Sequence, residues 1–184
     1  MKFSFYAAAL AAVLASTTLA SAQSATPAAT PVPDMKPDFS SMKFLLGTWT
    51  CKTTQNDVGR GTGRTETDTN TMVLEDHYMR TDAVSHPFDA ARTRDVVNVG
   101  WTGYDTVTKN WYTFGVSNFG GFGMSTSPGW SSNTLVWTDT YNSDGQPLTV
   151  TTVTKVSDTA TTSVNTYTVG GTKHMTSDSC TKNS

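Results

Sequence analysis

Residues 134–156 read TLVWTDTYNSDGQPLTVTTVTKV, and the fold class follows from this stretch. Leu135, Trp137, Asp139 and Tyr141 alternate with Val136, Thr138 and Thr140, the two-residue period of a strand with one face against a core. Asn142-Ser143-Asp144-Gly145 supplies residues that tolerate left-handed backbone, the chemistry of a hairpin reversal. A second Thr- and Val-rich run, Pro147–Val156, then returns along it. The same pattern repeats outward on both sides. Upstream, strands are expected at Phe44–Thr54, Gly61–Thr69, Thr71–Val84, Asp95–Tyr104, Asn110–Ser117 and Gly121–Ser127. Downstream come Thr159–Val169 and Lys173–Lys182, with Ser157-Asp158 and Gly170-Gly171 as reversals. Only one helical turn, around Phe39–Met42, interrupts the series. Ten short strands with tight reversals predict an all-β, antiparallel, up-and-down barrel, because closure removes both exposed sheet edges.

The two cysteines bear on closure, since they lie in the first and last expected strands. If the sheet closes, those strands are antiparallel neighbours. Pairing Cys51 opposite Cys180 then places Trp49 opposite Lys182 on the same face. An ammonium over a Trp ring contributes about 0.5–2 kcal/mol, so the register has a second support. Two separate reduced thiols are the alternative.

The ends of the chain also resemble a known architecture. Phe44-Leu45-Leu46-Gly47-Thr48-Trp49 resembles the opening Gly-x-Trp strand of calycin-type barrels, and Cys180-Thr181-Lys182 resembles their closing segment, whose basic residue packs over that Trp. Gly100-Trp101-Thr102-Gly103-Tyr104-Asp105, Trp111-Tyr112-Thr113, Gly120–Gly123 and Trp137-Thr138-Asp139 are similar to a bacterial family described as domain-of-unknown-function family 1579. The similarity covers nearly all of Phe44–Lys182. It departs at the end, where the family has an aromatic residue then Arg and this chain has Cys180 and Lys182. The resemblance implies a barrel related to lipocalins and to haem-binding nitrobindins, and it implies no activity.

The N-terminal segment reads as an address. Met1-Lys2, the apolar run Phe5–Leu14 and the small residues Ala20-Ser21-Ala22 form a secretory signal peptide over 1–22, too short in its apolar part to span a membrane. Residues 23–38, with Pro27, Pro31, Pro33 and Pro37, read as a linker, leaving 39–184 as the barrel domain. The expected location is therefore periplasmic or secreted, where the disulfide is permitted. Thirteen Lys and Arg against 15 Asp and Glu give no basic field for phosphates, so no nucleic-acid partner is expected. The chain is expected to be a monomer.

Motifs for chemistry are sparse. His77, His86 and His174 are far apart and form no zinc pattern, so no metal is expected. Read as strand neighbours, Glu75 and His77 share a face and offer a base with its orienting group, against the blander reading of a polar outward face. The resemblance to nitrobindins implies a haem-ligating His in the C-terminal part of the chain, and His174 stands there on the face of Thr176, Asp178 and Cys180; Thr176 and Asp178 would make a polar wall for a porphyrin, so no cofactor is expected, with haem on His174 as the alternative. Ser117 lacks the Gly-x-Ser-x-Gly context, and Asn118–Gly123 lacks the Lys and helix of a phosphate loop.

Aromatic residues are the richest feature. Trp101, Tyr104, Trp111, Phe114 and Trp137 are candidates for lining a cavity, with Phe119 and Phe122 overhanging its mouth. Arg80, with Arg92 and Arg94 nearby, is a candidate for an acidic head group. The expected function is an exported barrel binding a small, partly apolar molecule. Two alternatives stand beside it: an envelope interaction module using its Thr-rich outer strands, and an enzyme using His77 with Glu75, or Asp139, at the cavity mouth.

Overall fold

The seam between the two ends of the chain organises the sheet. In the computed structural model, which describes residues 35–57, 62–86 and 94–184, strand β1 (Gly47–Asn56) pairs antiparallel with β11 (Thr172–Lys182). Trp49 lies opposite Lys182 and Cys51 opposite Cys180, and the two cysteines form a disulfide. From that seam the sheet grows both ways. On one side follow β2 (Thr65–Val73), β3 (Tyr78–Ser85), β4 (Val96–Asp105), β5 (Asn110–Ser117) and β6 (Phe122–Ser127). On the other follow β10 (Ala160–Val169), β9 (Val150–Ser157) and β8 (Thr134–Asn142), with β7 (Trp130–Ser131) as a two-residue addition to β8. Pairing of β6 with β8 closes the ring into a ten-strand antiparallel barrel. The described residues form one compact unit. The leader expected at 1–22, the linker as far as residue 34, Gly61 and Arg92 lie outside the described residues.

One end of the barrel is plugged. The 3-10 turn Ser40–Leu45 precedes β1 and lies against the barrel, and Phe39 and Met42 join Met79, Trp111 and Leu135 in the buried core. Met42 and Leu135 are 1% and 2% exposed, so the floor is packed as tightly as any protein interior. A 3-10 turn ends with carbonyls that have no partner within it. The barrel satisfies them: Trp49 Nε1 (2.7 Å) and Asn70 Nδ2 (3.0 Å) donate to the Leu45 carbonyl, and Lys182 Nζ donates to that of Phe44 at 3.0 Å. Lys182 also lies 5.8 Å from the Trp49 ring centre, and Lys155 lies 4.2 Å from that of Phe44. Both cations lie over an aromatic ring, whose negative face attracts them.

Three features of the strand series differ from the sequence expectation. Strand β2 continues to Val73, and the reversal falls at Leu74–His77, where no Gly or Pro marks it. Leu74, Glu75 and Asp76 adopt φ of 52°, 57° and 64°, a left-handed turn made by side-chain-bearing residues. β7 is too short to carry a periodic signal. Tyr141, expected beside Leu135 and Trp137, is turned to the outer face by a bulge: Asp139 pairs with Ser125 but Tyr141 with Met124, so Thr140 is the extra residue. Tyr141 is accordingly half exposed and packs on Phe122, ring centres 5.7 Å apart.

Candidate functional site

Register fixes which side chains enter the lumen. Trp49, Met79, Trp111 and Leu135 are buried, and each position level with them or two residues along the same strand shares their side. Above the aromatic floor the lumen is polar. β1 contributes Thr53, β2 contributes Glu66 and Asp68, β10 contributes Ser163 and Asn165, and β11 contributes Asp178.

Two cavities occupy this lumen. The larger, about 670 Å³, opens at the end opposite the plug. Its inner wall is made of Asn98, Thr113, Gly115, Gly123 and Ser125, and Arg94, Phe119 and Asp144 stand at its rim. The wall is bare because Gly100, Gly115 and Gly123 are mutual register partners across β4, β5 and β6. None of these three has a positive φ. A strand interior ordinarily disfavours glycine, and none of the three serves a turn. A Cβ at Gly123 would meet only the Tyr141 carbonyl, at 3.7 Å, and one at Gly115 would meet backbone of Val99 and Gly100. No side chain fills the place these glycines vacate. Close backbone approach crowds a side chain at Gly115 and Gly100, whose Cβ would sit 3.2 Å from the Val99 carbonyl and 3.3 Å from that of Phe114, and side chains bar one at Gly103: on the outer face Tyr78 and Tyr112 cross over it with a 3.2 Å hydroxyl contact, and a Cβ would strike the Tyr112 ring at 2.7 Å. Burial and the Tyr78 hydroxyl push the Tyr112 phenol up to about 12.

The second cavity, about 350 Å³, lies against the disulfide. Asp178 is held there by three donors, Thr53 Oγ1 at 2.8 Å, Asn165 Nδ2 at 3.1 Å and Ser163 Oγ at 3.3 Å. Thr151 Oγ1 in turn fixes Asn165 at 2.8 Å. Asp68 is different. Burial, reinforced by the charge and hydrogen bonding of Glu66, pushes its carboxyl up to about 7, against a smaller opposing pull from Arg64. Its Oδ2 is 3.6 Å from Cys51 Sγ, and a disulfide sulfur carries no proton, so the protonated acid is the donor in that contact. Glu66 accepts from Ser85 Oγ and lies 3.9 Å from Arg64.

The residues expected to form a site are dispersed by the fold. Tyr104, Trp111 and Trp137 face inward but belong to the packed floor, with Tyr104 and Trp111 edge to face at 5.1 Å. The Trp101 and Phe114 rings stack on the outer surface, 5.1 Å apart, with Arg80 over Trp101 at 6.0 Å, while Phe114 is also among the residues bordering the open cavity. Arg80 is taken up by Asp82 at 2.6 Å. Phe119 and Phe122 do border the open cavity, Phe119 with Arg94 over its ring at 4.1 Å. Glu75 and His77 are not strand neighbours: both sit in the left-handed turn at the plugged end, where His77 Nδ1 contacts the Leu74 carbonyl at 2.9 Å. They are therefore remote from the mouth. Asp139 is engaged structurally, accepting from Ser125 Oγ at 2.6 Å and from the Thr149 amide at 2.9 Å. His174 stands at the open rim beside Asp57, at 3.5 Å, and Tyr167. Among the described residues no group of three or more His, Cys, Asp or Glu is arranged to hold a metal ion.

Sequence reasoning passed over Glu66, Asp68 and the three strand glycines. The signal for the acid pair was their two-residue spacing in a strand beside Cys51. The glycines could be aligned only once the β4–β5–β6 register was known. No protein-family model matches the chain, and no curated protein matches it. No helix among the described residues is long and apolar enough to cross a membrane.

Proposed function

We propose that the protein is an exported, lipocalin-like barrel that holds one small, partly apolar molecule in its lumen, with the relationship to domain-of-unknown-function family 1579 as part of the same reading. The observation that carries it is the open cavity of about 670 Å³, within the range of small-molecule sites and walled by small side chains where a packed barrel would place large ones. Its wall offers hydroxyls from Thr113 and Ser125 and an amide from Asn98, and Phe119 and Phe122 add aromatic surface at the mouth. The Cys51–Cys180 disulfide and the leader-like first 22 residues support a location outside the cytoplasm.

Two measurements test this. Native mass spectrometry on oxidised protein recovered from an exporting host should show a non-covalent adduct, or an empty protein that takes up one equivalent of N-phenyl-1-naphthylamine with a fluorescence rise. An empty protein that gives no saturable signal with the probe refutes the reading. Intact mass also reports the processing, since cleavage after Ala22 predicts a chain beginning at Gln23.

A second reading, an interaction module, has its own observation. The outer face of β4, β5, β6 and β8 carries Trp101, Phe114, Met124 and Tyr141 in one register row, with Met124 39% and Tyr141 50% exposed. Single apolar residues on a surface are ordinary, but a row across four strands is a patch. Reversible self-association that is abolished by Met124→Glu while probe uptake persists would favour it.

A further inference from the structure

The glycine row does more than make space, and it deepens the ligand-binding reading on which this inference rests. Gly100, Gly115 and Gly123 are successive partners on three strands. At about 4.8 Å per strand they leave a bare strip roughly 10 Å wide. Along the strands, side chains resume two residues away, except on β6 toward the mouth, where Gly121 extends the bare surface. Asn98 and Ser117 border the strip toward the mouth, and Thr102, Thr113 and Ser125 border it toward the plug. Peptide planes without Cβ atoms leave a smooth wall with no projecting side chains, so a rigid planar ring can lie along the strands in continuous contact with it. A branched or flexible chain would touch it at isolated points and leave the rest unfilled.

The borders decide the chemistry of the edges. Ser125 is committed to Asp139, and Ser117 to the amides of Phe119 and Gly121. Asn98 and Thr113 both line the cavity, and among the described residues their side chains have no hydrogen-bond partner. A primary amide presents one donor and one acceptor side by side, the complement of a ring lactam or aminopyrimidine edge. Among the described residues lining the cavity the charged ones are Arg94 and Asp144, one of each sign, which favours a ligand without net charge.

We propose that the strip is the binding surface for a flat, uncharged, fused heteroaromatic ligand of two or three rings, lying against Gly115 and Gly123 with a lactam-type edge on Asn98. The test uses the oxidised full chain and three fluorescent probes. Lumichrome is flat, neutral and carries ring-imide edges; 1-aminoanthracene has similar size without them; N-phenyl-1-naphthylamine is not planar and reports only that the cavity accepts a ligand. Lumichrome should bind at least 10-fold more tightly than 1-aminoanthracene. Gly123→Val should weaken lumichrome at least 10-fold while leaving the circular dichroism and melting temperature unchanged, since its Cβ has room. Asn98→Ala should weaken lumichrome alone and reduce its preference over 1-aminoanthracene to within 2-fold. If Gly123→Val perturbs folding, Gly123→Ala gives a smaller loss with the same sign. Equal or tighter binding of 1-aminoanthracene, or lumichrome affinity unchanged in Gly123→Val, overturns this inference while N-phenyl-1-naphthylamine binding keeps the broader reading intact. Absence of binding by all three overturns both.

Discussion

Replacing Asp68 by Asn should stabilise the protein, by an amount that grows from pH 4 to pH 7 and is complete above it. Burial and the neighbouring Glu66 raise the folded-state pKa of Asp68 to about 7 from an ordinary value of 3.8. The folded state therefore keeps a proton that the unfolded chain has lost. Below pH 4 both states are protonated and the site contributes nothing to the pH dependence. Between pH 4 and 7 the unfolded chain gains the advantage of ionising, so stability falls as pH rises, and above 7 the loss is complete. At about 1.4 kcal/mol per pH unit, three units set a ceiling of about 4 kcal/mol. Sharing of the shift with Glu66 brings the expectation for Asp68 itself to about 2 kcal/mol. Asn keeps the shape and removes the ionisation. In urea titrations of the oxidised protein followed by Trp fluorescence, Asp68→Asn should match the parent at pH 3 and exceed it by about 2 kcal/mol at pH 8, about 4–8 °C in melting temperature. A gain that is the same at both pH values would place its origin in packing. A loss at pH 8 would mean that Asp68 is ionised and held by Arg64, and the reasoning would fail.

Other consequences can be measured in the same assay. Replacing both cysteines by Ala should cost about 3–5 kcal/mol, because the bridge closes a separation of 129 residues; a cost under 1 kcal/mol would show that strand pairing alone holds the seam. Met42→Ala, 1% exposed in the plug, should lose about 2–5 kcal/mol. Lys182→Met should lose about 1–2 kcal/mol by removing the hydrogen bond to Phe44 and the cation over Trp49, and a neutral result would mean its alkyl stem supplies all the contact. Glu75→Gly should gain about 0.5–1 kcal/mol, since its φ of 57° suits glycine; destabilisation would show that the Glu75 side chain holds the turn.

How much of this was legible depended on the range of the interaction involved. Alternation and turn chemistry are local, and Asn110–Ser117 agrees end to end with its expected bounds. The seam is non-local, yet two cysteines and the Trp49/Lys182 pair on one parity made it readable. The β2–β3 reversal was not readable, because Leu74, Glu75 and Asp76 adopt left-handed backbone that nothing in their side chains announces. That single shift moved His77 and Glu75 from a strand face to a turn at the wrong end of the barrel. Aromatic residues were legible as important but not as facing in or out. Trp101 and Trp111 sit on opposite faces because β4 and β5 run antiparallel in a register that pairs Trp101 with Phe114 and Tyr104 with Trp111. The candidate site escaped attention for a simpler reason: its wall is defined by side chains that are missing.

The bridge at the seam also changes what a cut in the chain means. Cys51 and Cys180 lie in the first and last strands of the barrel in chain order, so nearly every loop is enclosed between them in sequence. With the disulfide formed, this stretch is a covalent ring. A protease that severs one exposed loop, such as the turn at Ser117–Phe122, opens the ring without releasing a fragment. The two pieces stay tethered at the seam, and the nicked molecule runs as one species until a reductant separates it. In a compartment rich in proteases, the first cleavage would relocate the chain ends and leave the lumen's owner whole.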